Sequence, residues 1–200
     1  MVTQKIFFNS MAQRWDIFCR HDKEKIDFIL NLLNIKYGSR ILDVGTGTGI
    51  LIPFLINKVG DQGEITAVDF SEKMIEIAQQ KHRYSNVSFV CDDILEADLP
   101  NQYYDYVICY SVFPHLQNKK SSIKTIGGYL KDGGKFVICH SQSRETINNV
   151  HKRISKAVAD DYLPEMDEIN EYFKDLGFKT MIEIDDDEMF VIVAEKMAIV

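Results

Sequence analysis

The sequence runs to 200 residues, 46% of them hydrophobic and 26% charged, with a formal net charge of −7. That length and composition suit one globular domain with a sizeable core and argue against global disorder. The acidic balance argues against broad binding to a phosphate backbone, which needs a Lys/Arg surface, and no basic run is longer than Asn118-Lys119-Lys120.

The opening Met1-Val2-Thr3-Gln4-Lys5 leads into a mixed amphipathic stretch. No uninterrupted apolar segment approaches the ~20 residues that span a bilayer, so a cytoplasmic protein is expected. Ile6, Phe7, Met11, Trp15 and Phe18 recur at roughly helical spacing, with Trp15 the expected buried anchor. A second amphipathic helix carries Ile26, Ile29, Leu30 and Leu33 on one side and stops at Gly38. Ile41-Leu42-Asp43-Val44 is a short strand that runs into the loop Gly45-Thr46-Gly47-Thr48-Gly49. Ile50, Leu51, Phe54 and Leu55 then resume a helical pattern, which tolerates Pro53 in its first turn.

The alternation continues with a strand over residues 64–69 and a helix from Glu72 to Lys81, capped by Ser71, with Met74, Ile77 and Ala78 inward. Strands follow over 87–91, 104–110 and 135–139, with a helix over 121–130 ended by Lys131-Asp132-Gly133-Gly134. Residues 141–163 are polar and weakly patterned. A helix over 165–176 closes at Gly177, and strands over 179–184 and 189–194 form an antiparallel hairpin through the acidic turn Asp185-Asp186-Asp187-Glu188. Cys19, Cys91, Cys109 and Cys139 have no CxxC spacing and read as reduced core cysteines.

Repeated βα units imply an α/β fold, a parallel sheet with helices on both faces, and such sheets bind ligands at the carboxyl ends of their strands. Three features stand there. The glycine loop lets backbone approach a ligand closely, and its GxGxG spacing puts Ile50 where a dinucleotide loop has glycine. Asp43 beside it suits a cationic group, such as a sulfonium or an amino group, better than a diphosphate. Asp69 ends the second strand, where a carboxylate can accept from vicinal ribose hydroxyls. Asp92 or Asp93 ends the third, placed to accept from an adenine amino group, with Phe70 and Ile94 over the purine faces. The alternative for each carboxylate is a turn or capping role.

These residues carry a resemblance. From about Ile35 onward the chain resembles the class I S-adenosylmethionine-dependent methyltransferases of small-molecule type. The matching segments are Ile41 to Gly49, Val68-Asp69-Phe70-Ser71, Phe89-Val90-Cys91-Asp92-Asp93, Tyr104-Asp105-Tyr106-Val107-Ile108 and Leu130 to Phe136. The resemblance implies a three-layer, doubly wound, Rossmann-like fold: a seven-stranded, mostly parallel sheet with an antiparallel last strand, and an N-terminal helical extension. It implies S-adenosylmethionine as cofactor and S-adenosylhomocysteine as product. The cofactor contacts it implies are Asp43, Gly45, Gly47, Asp69 and Asp92, and the wider binding set includes Thr46, Gly49, Phe70, Met74, Asp93, Ile94 and Tyr110.

One domain is expected: residues 1–36 a helical lid or extension, 37–140 the cofactor-binding core, 141–164 a substrate-side segment, and 165–200 a helix and terminal hairpin. On the acceptor side the candidates are His115 after the fourth strand, His140 after the fifth, and Arg144 beyond it, with His151 a weaker fourth. The alternative for His115 is a capping or surface imidazole. No metal is expected, because the histidines match no compact ligand spacing. The expected reaction is in-line methyl transfer to oxygen, nitrogen or sulfur of a small molecule. Methylation of RNA or protein, and a non-catalytic module that binds the cofactor, are the alternatives. Asn-Pro-Pro-Tyr, the motif of amino-group methylation on nucleic acid, is replaced by Tyr110-Ser111-Val112-Phe113-Pro114-His115.

Overall fold

A computed structural model describes residues 2–198. Met1, assigned above to the helical extension, and residues 199–200, assigned to the terminal segment, lie outside the described residues. Seven strands, β1 (Arg40–Val44), β2 (Glu64–Asp69), β3 (Val87–Cys91), β4 (Tyr104–Tyr110), β5 (Leu130–His140), β6 (Phe178–Asp185) and β7 (Phe190–Lys196), form one sheet in the order β3-β2-β1-β4-β5-β7-β6. Among these, β1/β2, β2/β3 and β4/β5 pair in parallel, whereas β7 runs antiparallel to both β5 and β6. Helices flank it, and the expected α/β doubly wound fold is therefore the one the chain adopts. Its residues cluster into two units, one through Ala97 and the other from Asp98.

In the first unit, α1 (Val2–Met11) leads through a single 3₁₀ turn to the short α2 (Trp15–Phe18). The face of α1 that is buried holds Gln4 and Phe8, with Ala12 following in the turn, whereas Ile6 and Phe18 are exposed. Trp15 is only half-buried, so the anchor of this segment is Phe8. α3 (Lys23–Leu32) is N-capped by Asp22, whose carboxylate accepts from the N–H groups of Glu24 and Lys25. Ile26, Ile29, Leu30 and Leu33 are buried, as their spacing predicts. The helix ends earlier than Gly38, because Asn34 takes a left-handed conformation (φ +50°) straight after Leu33.

α4 (Ile52–Val59) and α5 (Glu72–Lys81) both pack on β2, and Ser71 caps α5 by accepting from Met74 N–H. The inward residues of α5 are Met74, Ile75 and Ala78; Ile75 takes the place expected for Ile77. Of the four thiols, only Cys109 and Cys139 belong to the core. Cys91 is exposed because β3 is the edge of the sheet, and Cys19 is half-buried.

In the second unit α6 (Lys119–Gly128) begins and ends two residues before its expected bounds. Leu130 already pairs with Tyr104, so Lys131-Asp132-Gly133-Gly134 forms an irregular start to β5 instead of a helix stop. The polar segment after β5 contains a helix, α7 (Arg144–Ile154), capped by Ser143, followed by turns and α8 (Met166–Asp175). Phe136, Phe173 and Phe178 meet edge-on or tilted, at 5.4 to 6.1 Å between centroids, and join α8 to β5 and β6. Phe173→Ala would remove the central ring of this cluster, and a loss of about 3–5 kcal/mol is expected. Urea unfolding should show it as a lower midpoint at unchanged slope.

Candidate active site

At the mouth of β1 the chain must reverse from strand to helix within a few residues. Gly45, Gly47 and Gly49 manage this in the left-handed region, at φ +66°, +55° and +84°. Thr46 N–H donates to Val68 O (2.9 Å), which stitches the loop to β2. Gly49 has a second reason to lack a side chain. A Cβ there would stand 2.6 and 2.9 Å from the imidazole of His82, whereas one on Gly47 would meet only Trp15 Nε1 at 3.7 Å.

Asp69, the last residue of β2, receives two backbone N–H groups: Gly47 on Oδ2 (2.8 Å) and Ser71 on Oδ1 (2.9 Å). It therefore fixes both the glycine loop and the first turn of α5. Asp43 is 2% exposed, with Oδ2 accepting from Thr46 Oγ1 (2.7 Å). Burial pushes its carboxyl up to about 7; the Thr46 hydrogen bond opposes the shift and neighbouring Asp69 adds to it. A buried carboxylate this close to neutrality is suited to a positive ligand.

At the end of β3, Asp92 is exposed and its Oδ1 accepts from Asp93 N–H (2.8 Å). Asp93 begins the next turn: its Oδ1 accepts from Leu95 N–H, and its carbonyl from Glu96 and Ala97. Phe70 is half-buried and meets Phe8 of α1 edge-on at 5.7 Å, while Ile94 and Met74 are buried.

Several residues around this loop escaped sequence reasoning. Asn9 of α1 accepts from Ser71 Oγ (2.7 Å) and Lys73 N–H (3.1 Å) and donates to Glu72 (3.0 Å). Asp16 accepts from Thr48 Oγ1 (2.5 Å) and Lys81 Nζ (2.8 Å). These are long-range pairings of ordinary polar residues, and no local spacing announces them.

The second unit holds the other candidates. His140 is the last residue of β5, paired with Phe190 and 3% exposed, so the strand runs one residue further than expected. Tyr110 is buried, its hydroxyl 2.8 Å from Ser141 Oγ. Arg144 starts α7 and is held by Asp185 (3.0 Å) and Glu165 (3.7 Å).

His115 lies in a 3₁₀ turn, its Nδ1 2.7 Å from Asp161 Oδ2, with side chains 12% and 6% exposed. The ring of His151 is 4.8 Å from that of His115, and its Nδ1 is 3.1 Å from the Asp161 carbonyl. Burial, and then the neighbouring His115, push His151 down to about 4. Lys119 donates to the carbonyls of Pro114 (2.7 Å) and Leu116 (2.5 Å), on either side of His115. Burial lowers its ammonium to about 8 against the pull of Asp161 and Glu168. Asp161 carries no signal in the sequence, since the turns after α7 alone bring it to His115.

Comparison with known proteins agrees with this frame. The family described as "Methyltransferase domain" matches residues 35–185. Over 139 residues the chain is 36% identical to a malonyl-[acyl-carrier protein] O-methyltransferase of Acetivibrio thermocellus, covering 67% of this chain and 48% of that protein. Over 145 residues it is 30% identical to a demethylmenaquinone methyltransferase of Bacillus licheniformis, covering 72% and 62% respectively. The chain thus spans about half the length of the first of these relatives. A crystal structure of a SAM-dependent methyltransferase from Aquifex aeolicus superposes with a TM-score of 0.72 at 20% identity, over 93% of this chain and 97% of that one. The match covers most of this sequence and includes β1 to β6, so the chain belongs to the methyltransferase domain family.

Proposed function

We propose that this chain transfers a methyl group from S-adenosylmethionine to oxygen, nitrogen or sulfur of a small-molecule acceptor. The observation that carries the reading is Asp43: a buried carboxylate, pushed up to about 7, beside a loop of three left-handed glycines. A dinucleotide diphosphate would gain nothing from an anion there, whereas a sulfonium or ammonium group is attracted to it. The residues present fit the cofactor. Backbone at Gly47 offers an open cradle, Asp69 places a carboxylate at the end of β2 as an acceptor for ribose hydroxyls, and Phe70 and Ile94 supply apolar cover for a purine. Asp92 or Asp93 would receive the adenine amino group. The relatives named for malonyl-[acyl-carrier protein] and demethylmenaquinone support methylation of a small group.

When bound, the cofactor supplies an electrophilic methyl group that needs no further activation, so the chain's own work is binding, alignment and exclusion of water. A base is required only for acceptors that must lose a proton. His115, His140 and Arg144 remain the candidates for the acceptor side.

Calorimetry should detect binding of S-adenosylmethionine and S-adenosylhomocysteine, and absence of both would sink the reading. Asp69→Ala should weaken binding at least tenfold, because each charged hydrogen bond lost costs about 1.5–3 kcal/mol and the glycine loop is released as well.

Asp43 also sets a pH dependence. Its folded value of about 7 lies above its ordinary 3.8, so the fold favours the neutral form. That contribution to stability is complete below about pH 4 and is lost as pH rises through about 7. A cationic ligand favours the ionised form. Affinity for S-adenosylmethionine should therefore rise from pH 6 to 8, with proton release on binding, and Asp43→Asn should flatten this profile. Titrations in buffers of different ionisation enthalpy would measure both effects.

A further inference from the structure

We propose that Asp16 and Lys81 are positioning residues of the glycine loop, which set the affinity for S-adenosylmethionine through the hydroxyl of Thr48. The inference rests on the methyl-transfer reading above and adds two residues which that reading does not use.

Thr48 stands between Gly47 and Gly49, both left-handed, and its side chain is buried. A buried hydroxyl needs partners, and this one finds them outside the loop. It donates to Asp16 Oδ1 (2.5 Å) and accepts from Lys81 Nζ (3.2 Å), while Lys81 also donates to Asp16 Oδ2 (2.8 Å). The three groups close a triangle. Burial alone would raise the Asp16 carboxyl, yet the bonds from Lys81 and then Thr48 hold it below its ordinary value. Asp16 is therefore ionised at neutral pH and can only accept, which fixes the direction of the Thr48 hydroxyl.

The first half of the loop is anchored to β2, with Thr46 N–H held by Val68 and Gly47 N–H by Asp69. The second half meets the C-terminal end of α5 instead. Lys81 reaches Thr48, and the ring of the next residue, His82, lies 2.6 Å from where a Cβ on Gly49 would stand. Asp16 arrives from α2. Within that helix only Trp15 is half-buried, and Ile17 and Phe18 are exposed, so apolar packing does not account for the seat of Asp16. Its bonds to Thr48 and Lys81 do. A glycine loop held in one conformation before the ligand arrives loses less freedom on binding, and the difference appears as affinity.

Calorimetric titration with S-adenosylhomocysteine tests this, with the emission of Trp15, the chain's single tryptophan, following α2. Asp16→Ala and Thr48→Val should each weaken binding about tenfold, the loss of one charge-assisted hydrogen bond. The double variant should bind no more than about twofold worse than either alone, because both changes break the same contact. Asp16→Asn, which keeps an acceptor for Thr48, should recover part of the loss, and Lys81→Met should weaken binding about threefold. Asp16 and Lys81 are exposed residues, so their variants decide the matter even if Thr48→Val fails to fold. Any of three results overturns the proposal: unchanged affinity in Asp16→Ala, losses that add in the double variant, or Asp16→Asn binding no better than Asp16→Ala. A red-shifted Trp15 emission with unchanged affinity is the first of these, the mark of a contact that seats α2 and nothing more. Failure of the wild type to bind S-adenosylhomocysteine overturns the methyl-transfer reading itself, and this inference with it.

Discussion

Two backbone N–H groups, of Gly47 and Ser71, converge on the two oxygens of Asp69, and much of the first unit depends on that convergence. The glycines adopt left-handed conformations that offer no intrinsic preference for one path over another. Their loop is defined because Thr46 bonds to β2 on one side and Asp69 receives Gly47 on the other. The same carboxylate orients the start of α5, whose Ser71 cap is tied to Asn9. A single charge thus organises a loop, a helix terminus and, through Asn9, the docking of α1.

Asp43 is the counterpart of this arrangement. It is buried with the hydroxyl of Thr46 as its hydrogen-bond partner, and Asp69 nearby makes ionisation harder still. Natural proteins seldom keep such a group unless a ligand relieves it. The fold carries an electrostatic strain here, beside the glycine loop.

The sheet was legible because βα repetition leaves few topologies and each strand is a short apolar run ended by a turn residue. Errors fell where local pattern and tertiary context disagree. Gly38 looked like a helix stop, but Asn34 did that work; Lys131 to Gly134 looked like a loop, but β4 recruits it into β5. α7 was missed because its polar residues outnumber its apolar ones and Ile147 is its one residue in the core. The cofactor-side candidates are the ones a sequence can nominate, since they sit at the ends of strands. Among the acceptor-side candidates the sequence nominates His115, but not its partner. Asp161 is 46 residues away, in a stretch with no periodicity, and only the folding of that stretch against α7 joins them. Asn148, which binds both the N–H and the carbonyl of Leu163, holds that return path in place.

Ser71 has one hydroxyl and uses it twice, accepting from Met74 N–H to cap α5 and donating to Asn9 on α1. The two bonds share one oxygen, so the order of the N-terminal helix and the order of the Asp69 loop are thermodynamically linked. Linkage is reciprocal: whatever orders the loop also protects α1, and whatever detaches α1 loosens the loop. α1 therefore reports on the order of the loop, readable as slowed amide exchange or resistance to trypsin at Lys5.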